Sequence, residues 1–405
     1  MKQPNRRIFL AGLIVIVGVI LFLDPADIVN RFLSRRPPPV SDEVVQSARE
    51  VVTEHGDEPT TFVLDALSEH QVVCLGEFPQ IAEHPRFLIE VIRSMPERGL
   101  QTVGVDFALS EDQPLIDRAI SGNTYDEELV HRILLNRLSI WGYEEYAEVF
   151  RAAWEVNRDL PPEEQVQIVG LNVRQDQTPT QLPPEERPRG EELGAARFPE
   201  GLPDRHMARA VLETVEETGE PFLFYAGSRH AFTGFRDLEY EDRMDELGFP
   251  DARRAGNIIE QELGADALTL YLHGPWPAQD RRNSMTFAAG GLIHAVLEEL
   301  PEDEQRVAFP VADTPIADYR ITEGDYARFR DSFSFGGLTD GYVVLGPTGE
   351  LSAATPISEF ITDTNVEQAR EGFPGRLPDN AEPTDLNGYI ARVSTNLDDI
   401  LEGFD

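Results

Sequence analysis

Polar side chains follow five short apolar segments of the chain, at or near the point where each segment ends. In chain order they are Glu77, Asp106, Asn172 followed by Arg174, Arg229 followed by His230, and His273. Two carboxylates and two imidazoles in one place can bind a divalent metal, or can activate a water molecule as general base and acid. A carboxylate at the end of a buried strand is costly unless it is paired or used, so Glu77 is the first residue to explain.

The apolar segments themselves predict the strands of a sheet. They span residues 71–76, 101–107, 166–173, 221–227 and 267–272. Near-continuous apolar runs of this length are typical of strands that are covered on both faces. Amphipathic helical patterns precede and separate them, at residues 42–55, 60–69, 83–97, 111–121, 125–139, 143–158, 205–218 and 251–263. The alternation predicts an α/β fold with a mostly parallel central sheet flanked by helices. In such a sheet the carboxyl ends of the strands share one edge, where ligands bind.

The composition of the chain changes along its length and predicts three parts. Residues 1–36 are expected to form a signal anchor with a short juxtamembrane segment, residues 37–285 the α/β domain, and residues 286–405 a less regular C-terminal extension that packs on the same domain. Within the domain, residues 176–203 are rich in Pro, Glu and Gly, which predicts a long insertion loop. In the extension, "GYVVLGPTGEL" predicts a hairpin that turns at Gly-Pro-Thr-Gly.

The N-terminal apolar run predicts a membrane anchor. Residues 8–23 are uncharged and apolar, and the basic residues Lys2, Arg6 and Arg7 precede them. The run is slightly short for the roughly 20 residues that span a bilayer, and no clear cleavage site follows it. We therefore expect an uncleaved anchor, with a cleaved signal peptide as the alternative. The basic residues before the run favour a cytoplasmic N-terminus and an extracytoplasmic body, either periplasmic or extracellular.

Charge and cysteine content exclude several classes of function. The formal net charge of the 405 residues is −38, and acidic residues are spread through the whole sequence. Such a surface repels nucleic acid, so no nucleic-acid partner is expected. Cys74 is the only cysteine and lies in an apolar strand segment, which leaves no intrachain disulfide and no cysteine-based zinc site. The sequence also lacks the G-x-S-x-G, P-loop and G-x-G-x-x-G motifs, which disfavours serine hydrolases, NTPases and dinucleotide enzymes.

Several of these segments together resemble a known superfamily. They are "LGEFPQIAEHPRF", "VGVDFALSEDQPLIDRAISG", "IWGYEEYAEVFRAAW", "QIVGLNV" and "FLFYAGSRHAF". In order and spacing they resemble the ChaN-like, erythromycin-esterase-like and Tiki/TraB superfamily over about residues 60–275, and the ChaN branch most of all. The resemblance implies that Glu77 is the first glutamate of the family, that Asp106 replaces a second glutamate, and that His230 is the late histidine.

The sequence departs from the family pattern after the first glutamate. Members usually carry a histidine two or three residues later, where this chain has Pro79 and Gln80. His84 lies seven residues after Glu77, at a position where ChaN-like members often carry another histidine. It could turn towards the strand edge or simply sit in the first turn of the next helix.

Three functions follow from these residues. The first is a membrane-anchored hydrolase of an ester, amide or peptide bond, in which Glu77 and Asp106 position a water or a metal, His230 is the base and Arg229 stabilises the oxyanion. In this role Glu77, Asp106 and His230 are also the candidate metal ligands.

The second function is a haem- or iron-binding protein of the ChaN kind, which the resemblance implies. Haem needs an axial ligand. The candidates are His84, His230, His273, and Tyr143 or Tyr146 in "WGYEEY", although the tyrosines are better explained as helix-packing residues. Asn172 and Arg174 complete the expected ligand-binding residues. The third function is a catalytically degenerate scaffold. Substrate, cofactor and oligomeric state stay open at this point.

Overall fold

The central element of the fold is a seven-stranded sheet. The computed structural model describes residues 36–279, 284–377 and 380–404. The sheet strands are β1 (Val72–Glu77), β2 (Thr102–Leu109), β3 (Gln167–Asn172), β4 (Phe222–Gly227), β5 (Ala267–Leu272), β8 (Val307–Pro310) and β11 (Gly341–Val344). Their order in the sheet is β3-β2-β4-β1-β5-β11-β8, and all neighbours are parallel except β8, which pairs antiparallel with β11. The predicted α/β fold with a mostly parallel sheet flanked by helices is confirmed.

Helices precede and connect these strands. They are α1 (Asp42–His55), α2 (Pro59–Glu69), α3 (Glu83–Ser94), α4 (Gln113–Ser121), α5 (Glu127–Arg137), α6 (Glu144–Asn157), α7 (Thr178–Gln181), α8 (Gly190–Arg197), α9 (Pro203–Thr218), α10 (Ser228–Ala231), α11 (Leu238–Glu246), α12 (Ala255–Leu263), α13 (Leu292–Glu299), α14 (Val366–Glu371) and α15 (Pro383–Leu401). Two short ribbons complete the described elements, β6 (Trp276–Pro277) with β7 (Met285–Thr286), and β9 (Arg320–Ile321) with β10 (Phe333–Ser334).

The strands are apolar throughout because helices cover the sheet on both faces. Every residue of β1 and of β2 is buried. One face packs a large core that includes Val73, Leu75 and the buried side of α3. The other face packs a second core that includes Cys74, which is buried and lies among α9 and α12 side chains. This arrangement explains why the strand segments lack an alternating polar pattern.

Strand order places three chain segments side by side at one edge. Strand β4 lies between β1 and β2 and is hydrogen-bonded to both. The carboxyl ends of β1, β2 and β4 are therefore adjacent, although long stretches of sequence separate them. Ligands bind at this kind of position in open α/β sheets.

The C-terminal part differs from expectation at the predicted hairpin of "GYVVLGPTGEL". Residues 341–344 form β11, which pairs with β5 on one side and β8 on the other. Both edges of the strand are thus occupied, so the residues after it form a single 3₁₀ turn at Thr348–Glu350 instead of a return strand. The hairpin prediction was wrong because a long-range parallel pairing satisfied the same strand.

Of two other predicted segments, only one lies among the described residues. Residues 176–203, expected as a long insertion loop, include the short helices α7 and α8. The predicted anchor at residues 8–23 lies outside the described residues and stays a prediction. Among the residues that are described, no helix is both long enough and apolar enough to cross a bilayer.

Strand β11 offers a test of whether the C-terminal part shares the core of the sheet. Tyr342 is fully buried, its ring stacks on Tyr271 at 5.6 Å, and its hydroxyl lies 3.0 Å from Nδ1 of His273. We expect Tyr342→Ala to lower the free energy of unfolding by about 3 to 5 kcal/mol because it leaves a large cavity. Tyr342→Phe should cost only about 1 kcal/mol, the value of one hydrogen bond.

Chemical denaturation of both variants followed by tryptophan fluorescence would measure these losses. A loss of less than about 1 kcal/mol for Tyr342→Ala would contradict the packing of β11 in the main core.

Candidate functional site

The carboxyl ends of β1, β2 and β4 meet at Gly227. Its amide donates to Oδ2 of Asp106 at 3.1 Å, and it lies opposite Glu77 in the strand register. A Cβ added at Gly227 would lie 3.7 Å from Cγ of Pro79 and 3.8 Å from both Oδ2 of Asp106 and Cδ2 of His230. Because Gly227 has no side chain, its backbone forms the floor of a small site, which the Asp106 carboxylate, the His230 imidazole and the Pro79 ring border.

Glu77 is buried, and the hydroxyls of two tyrosines hold its carboxyl group. Tyr146 of α6 donates to the carboxyl group at 3.1 and 3.0 Å, and Tyr225 of β4 donates to Oε2. The Tyr146 hydroxyl also accepts a hydrogen bond from the amide of Gln80 at 2.9 Å. Glu77 thus connects β1, β4 and α6 beneath the floor.

The environment of Glu77 favours its neutral form. Burial and the nearby Asp106 carboxylate raise its pKa to about 8, although the two tyrosine hydrogen bonds oppose this shift. Near neutral pH Glu77 is therefore mostly protonated. A neutral carboxyl group suits a positioning role better than it suits the binding of a cation.

Asp106 reaches the floor because β2 separates from β3 at this point. The register of β2 and β3 shifts between Val105 and Leu109, so the carbonyl of Asp106 is left for side chains. Asn172 Nδ2 donates to it at 2.9 Å and Arg137 Nε donates to it at 3.0 Å. The carboxyl atom Oδ1 is buried without a hydrogen-bond partner. Irregular strand pairing of this kind often redirects a side chain beside a functional site.

His230 is oriented by a buried aspartate. Its Nδ1 lies 2.7 Å from Oδ1 of Asp204, and 18% of its side chain is exposed. Asp204 also accepts from the amide of Ala255 at 2.9 Å and pairs with Arg254 at 3.4 Å. Burial would raise the pKa of Asp204, but the charges of His230 and Arg254 outweigh burial and lower it. Asp204 thus accepts the proton of Nδ1, so the contact selects the tautomer whose lone pair is on Nε2 whenever the ring is neutral.

Arg229, next to His230, forms ion pairs with two aspartates. Its guanidinium pairs with Asp237 at 3.0 Å and with Asp325 at 2.6 Å. Asp237 also pairs with Arg254 at 2.7 Å. Both terminal nitrogens of Arg229 therefore bind carboxylates within a buried network, which neutralises the charge of its guanidinium.

His84 and His273 have structural hydrogen bonds on both ring nitrogens. His84 accepts from the amide of Phe78 at 3.0 Å and lies 3.0 Å from the carbonyl of His273. His273 lies 3.0 Å from the Tyr342 hydroxyl and 2.9 Å from the hydroxyl of Thr348. Burial lowers the pKa of His84 to about 4 and that of His273 to about 3, so both rings are neutral. These histidines connect the segments around the strand edge, and neither has a ring nitrogen left to bind a ligand.

The remaining predicted residues lie in three different settings. Asn172 is buried and supports Asp106, as described above. Arg174 is exposed and pairs with Glu111 at 2.7 Å. Tyr143 is fully buried, and its hydroxyl has no hydrogen-bond partner. The structure thus brings together Glu77, Asp106 and His230, with Asn172 in support.

Sequence reasoning missed three side chains near the site: Tyr225, Asp204 and Arg137. Tyr225 carried a signal, because a tyrosine in a continuously apolar strand needs a buried partner for its hydroxyl. Asp204 and Arg137 carried none. Asp204 sits in the first turn of α9 and Arg137 ends α5, and only the fold brings them to the strand edge.

Glu77, Asp106 and His230 were the predicted metal ligands. Over residues 36–279, 284–377 and 380–404, no group of three or more His, Cys, Asp or Glu side chains is arranged to hold a metal ion. Both carboxyl oxygens of Glu77 already accept from tyrosines. The metal role of Glu77, Asp106 and His230 stays a prediction.

Part of the chain is similar to a known protein family. Residues 63–180 match the model of a family described as "Haem-binding uptake, Tiki superfamily, ChaN". This segment is ChaN-like. The resemblance expected from the sequence is confirmed, and the ChaN-like segment includes Glu77, Asp106 and Arg137 but ends before His230. None of the curated proteins matches the chain.

Solved structures share the fold at low sequence identity. A protein from Bacillus cereus has a TM-score of 0.53 and 9% identity, with 79% of this chain and 100% of that chain covered. A succinoglycan biosynthesis protein has a TM-score of 0.53 and 10% identity, with 78% and 100% covered. An erythromycin esterase mutant in its open conformation has a TM-score of 0.46 and 10% identity, with 81% and 99% covered. At these identities the first two similarities support the fold alone.

The raised pKa of Glu77 predicts a pH-dependent effect of Glu77→Gln. An ordinary glutamate has a pKa near 4.5, against about 8 in the folded protein. Between these values the unfolded chain has lost its proton while the folded one keeps it, so the contribution of Glu77 to stability falls as pH rises. We expect the free energy of unfolding of Glu77→Gln, relative to wild type, to increase from pH 5 to pH 8 with a slope of up to about 1.4 kcal/mol per unit.

Urea denaturation of both proteins at several pH values would measure this slope. Glu83→Gln, in the first turn of α3, is the matched control because Glu83 is only partly buried. A difference between Glu77→Gln and wild type that is independent of pH would mean that Glu77 is ionised in the folded protein.

Proposed function

We propose that the protein is a hydrolase of ester or amide bonds, in which His230 activates a water molecule above Gly227. One observation carries the proposal. Asp204 holds His230 at 2.7 Å through Nδ1, while no described residue binds Nε2. A histidine held by a carboxylate on one nitrogen and open on the other has the form of a general base.

The surroundings of Asp204 support this role. Its two oxygens bind the His230 ring, the Ala255 amide and Arg254, so its position and charge are determined by several contacts. A fixed carboxylate selects the tautomer of the imidazole and stabilises the imidazolium that forms when the ring takes a proton. Asp204 is therefore a positioning residue, and His230 is the catalytic one.

Asp106 is the second polar group at the floor. Its Oδ2 is anchored by the Gly227 amide, whereas its buried Oδ1 lacks a donor. A water bound to Oδ1 through one of its protons could give its other proton to Nε2 of His230 and attack a carbonyl carbon. The imidazolium would then return the proton to the leaving group. Asp106 thus orients the water, which matches the usual contribution of a positioned carboxylate.

Glu77 supports the floor without touching the substrate. Its bond to Tyr146 also fixes the amide of Gln80, because the same hydroxyl accepts from that amide. Gln80 has a left-handed backbone with φ of 73°, which is uncommon for a residue other than glycine. Glu77 and Tyr146 together hold the strained turn that places Pro79 beside Gly227.

Variants of His230 and Asp204 test the proposal directly. Using a panel of nitrophenyl esters and nitroanilides, we expect His230→Gln to abolish turnover and Asp204→Asn to lower kcat by about 10² to 10⁴-fold. His55→Gln, at the exposed end of α1, is the control and should retain full activity. Melting temperatures would show that the variants fold. Turnover that survives both changes, or wild-type protein that cleaves nothing in the panel, would overturn the proposal.

Haem binding is the second candidate, favoured by the description of the matched family. Of the predicted axial ligands, His84 and His273 are bonded on both nitrogens, and Tyr143 is fully buried. The hydroxyl of Tyr146 is bound to Glu77 and to the amide of Gln80. His230 through Nε2 is thus the side chain among them that fits an axial role. If haem binds there, its iron would be held by His230 and supply redox or transport chemistry.

A haem titration separates this candidate from the hydrolase. If it holds, a Soret band should develop at micromolar wild-type protein and be lost in His230→Gln, while Asp204→Asn should alter the ligand band only modestly. A Soret band that is unchanged in His230→Gln would exclude His230 as the ligand. Neither a Soret band nor turnover would favour the degenerate scaffold.

A further inference from the structure

Arg137 lies at the same strand edge, beside Asp106. It is the last residue of α5, is partly buried, and donates through Nε to the carbonyl of Asp106 at 3.0 Å. That carbonyl is available because β2 has separated from β3, and Asn172 donates to it as well. The stem and Nε of Arg137 are therefore fixed next to the residue that orients the water.

The guanidinium of Arg137 has no matching anion. Within the described ranges, no carboxylate oxygen lies within 4.0 Å of its nitrogens, and its terminal nitrogens have no hydrogen-bond acceptor in the protein. The buried Arg229 and Arg254, by contrast, each pair with two aspartates. Burial lowers the pKa of Arg137, and the charge of Asp106 acts in the opposite direction. The terminal nitrogens of Arg137 are not among the buried polar atoms without a partner, so they are accessible to solvent and to a bound molecule.

Asp106 also has a polar atom without a hydrogen-bond partner. Its Oδ1 is buried and lacks a donor, whereas the terminal nitrogens of Arg137 lack an acceptor. The two groups are close enough to interact electrostatically but form no ion pair. A molecule bound between them needs an oxygen that accepts from Arg137 and a hydrogen that Oδ1 can accept. A hydrolytic water together with a substrate carbonyl meets both requirements.

We propose that Arg137 binds the carbonyl oxygen of the substrate and stabilises the oxyanion that forms on it, and this rests on the proposed hydrolase function. As the bond between the water oxygen and the carbonyl carbon forms, the π electron pair moves to the carbonyl oxygen, which accepts from the terminal N–H groups of Arg137. One water proton passes to Nε2 of His230, and the other is held by Oδ1 of Asp106. When the bond to the leaving group breaks, His230 returns its proton to that group.

Arg137 thereby takes the role that the sequence suggested for Arg229. The two arginines differ in the groups that neutralise them, because Asp237 and Asp325 occupy Arg229. A guanidinium that has no bound carboxylate in a partly buried site is an effective oxyanion donor.

Two readouts on the full chain test the proposal. Phenylphosphonate, a tetrahedral oxyanion, serves as the binding probe in calorimetric titration, and the ester and anilide panel serves for turnover. We expect Arg137→Gln to weaken phenylphosphonate binding at least tenfold and to lower kcat by about 10² to 10³-fold with little change in KM. Arg118→Gln is the matched control, because Arg118 of α4 is an exposed arginine that pairs with Asp126 away from the strand edge, and it should behave as wild type.

Arg137→Lys keeps the charge and the stem, and it replaces Arg137→Gln if that variant does not fold. Its kcat should recover only in part, because a lysine cannot reproduce the planar pair of donors. Arg137→Ala should regain activity when methylguanidine is added, which a merely structural role would not produce.

The outcomes separate this proposal from the function on which it rests. Turnover in wild type that is unchanged in Arg137→Gln would overturn the role of Arg137 and leave the hydrolase intact. Wild type that binds phenylphosphonate through Arg137 but cleaves nothing would overturn the hydrolase and keep Arg137 as an anion-binding residue. Phenylphosphonate binding that is equal in wild type and Arg137→Gln, or absent from wild type, would overturn the binding role assigned here.

Discussion

The carboxyl group of Glu77 is the constraint on which the strand edge depends. It lies at the end of a central strand with no exposed surface, so the protein itself has to supply its hydrogen-bond partners. Tyr146 and Tyr225 supply them from α6 and β4, which brings three elements to one point. Through Tyr146 the same contact fixes the backbone of Gln80 and, with it, the proline beside Gly227. The shape of the floor therefore follows from how one buried carboxyl group is satisfied.

A second buried network holds the other side of the edge. Asp204, Asp237, Arg229 and Arg254 form alternating ion pairs, which Asp325 extends into the C-terminal part of the chain. Burial of these charges is tolerated because each one has a partner of opposite sign. His230 is attached to this network through Asp204, so its ring is oriented by residues from several distant segments. The net charge of −38 therefore coexists with a set of internal arginines that are individually neutralised.

Much of the fold could be read from the sequence because it rests on local pattern. The five apolar runs became β1 to β5, and the amphipathic segments between them became helices, since periodicity is a local property. The edge site was anticipated in part for the same reason. Glu77 ends β1, Asp106 lies near the end of β2 and His230 follows β4, and the fold places these strands side by side. Strand β11 was misjudged because its partners β5 and β8 are remote in sequence.

The sequence by itself determined the first five strands of the sheet, their parallel arrangement and the polar residues at or near their ends. Only the tertiary structure decided which of these side chains keeps a nitrogen or oxygen atom without a partner in the protein. Arg229 and His273 looked as suitable as His230, but their nitrogens are bound to partners from other segments. Arg137 and Asp204 carried no signal, and they reach the edge through the packing of α5 and α9. The physical reason is that residue type and spacing are encoded locally, whereas hydrogen-bond and ion-pair partners are assigned by contacts between distant parts of the chain.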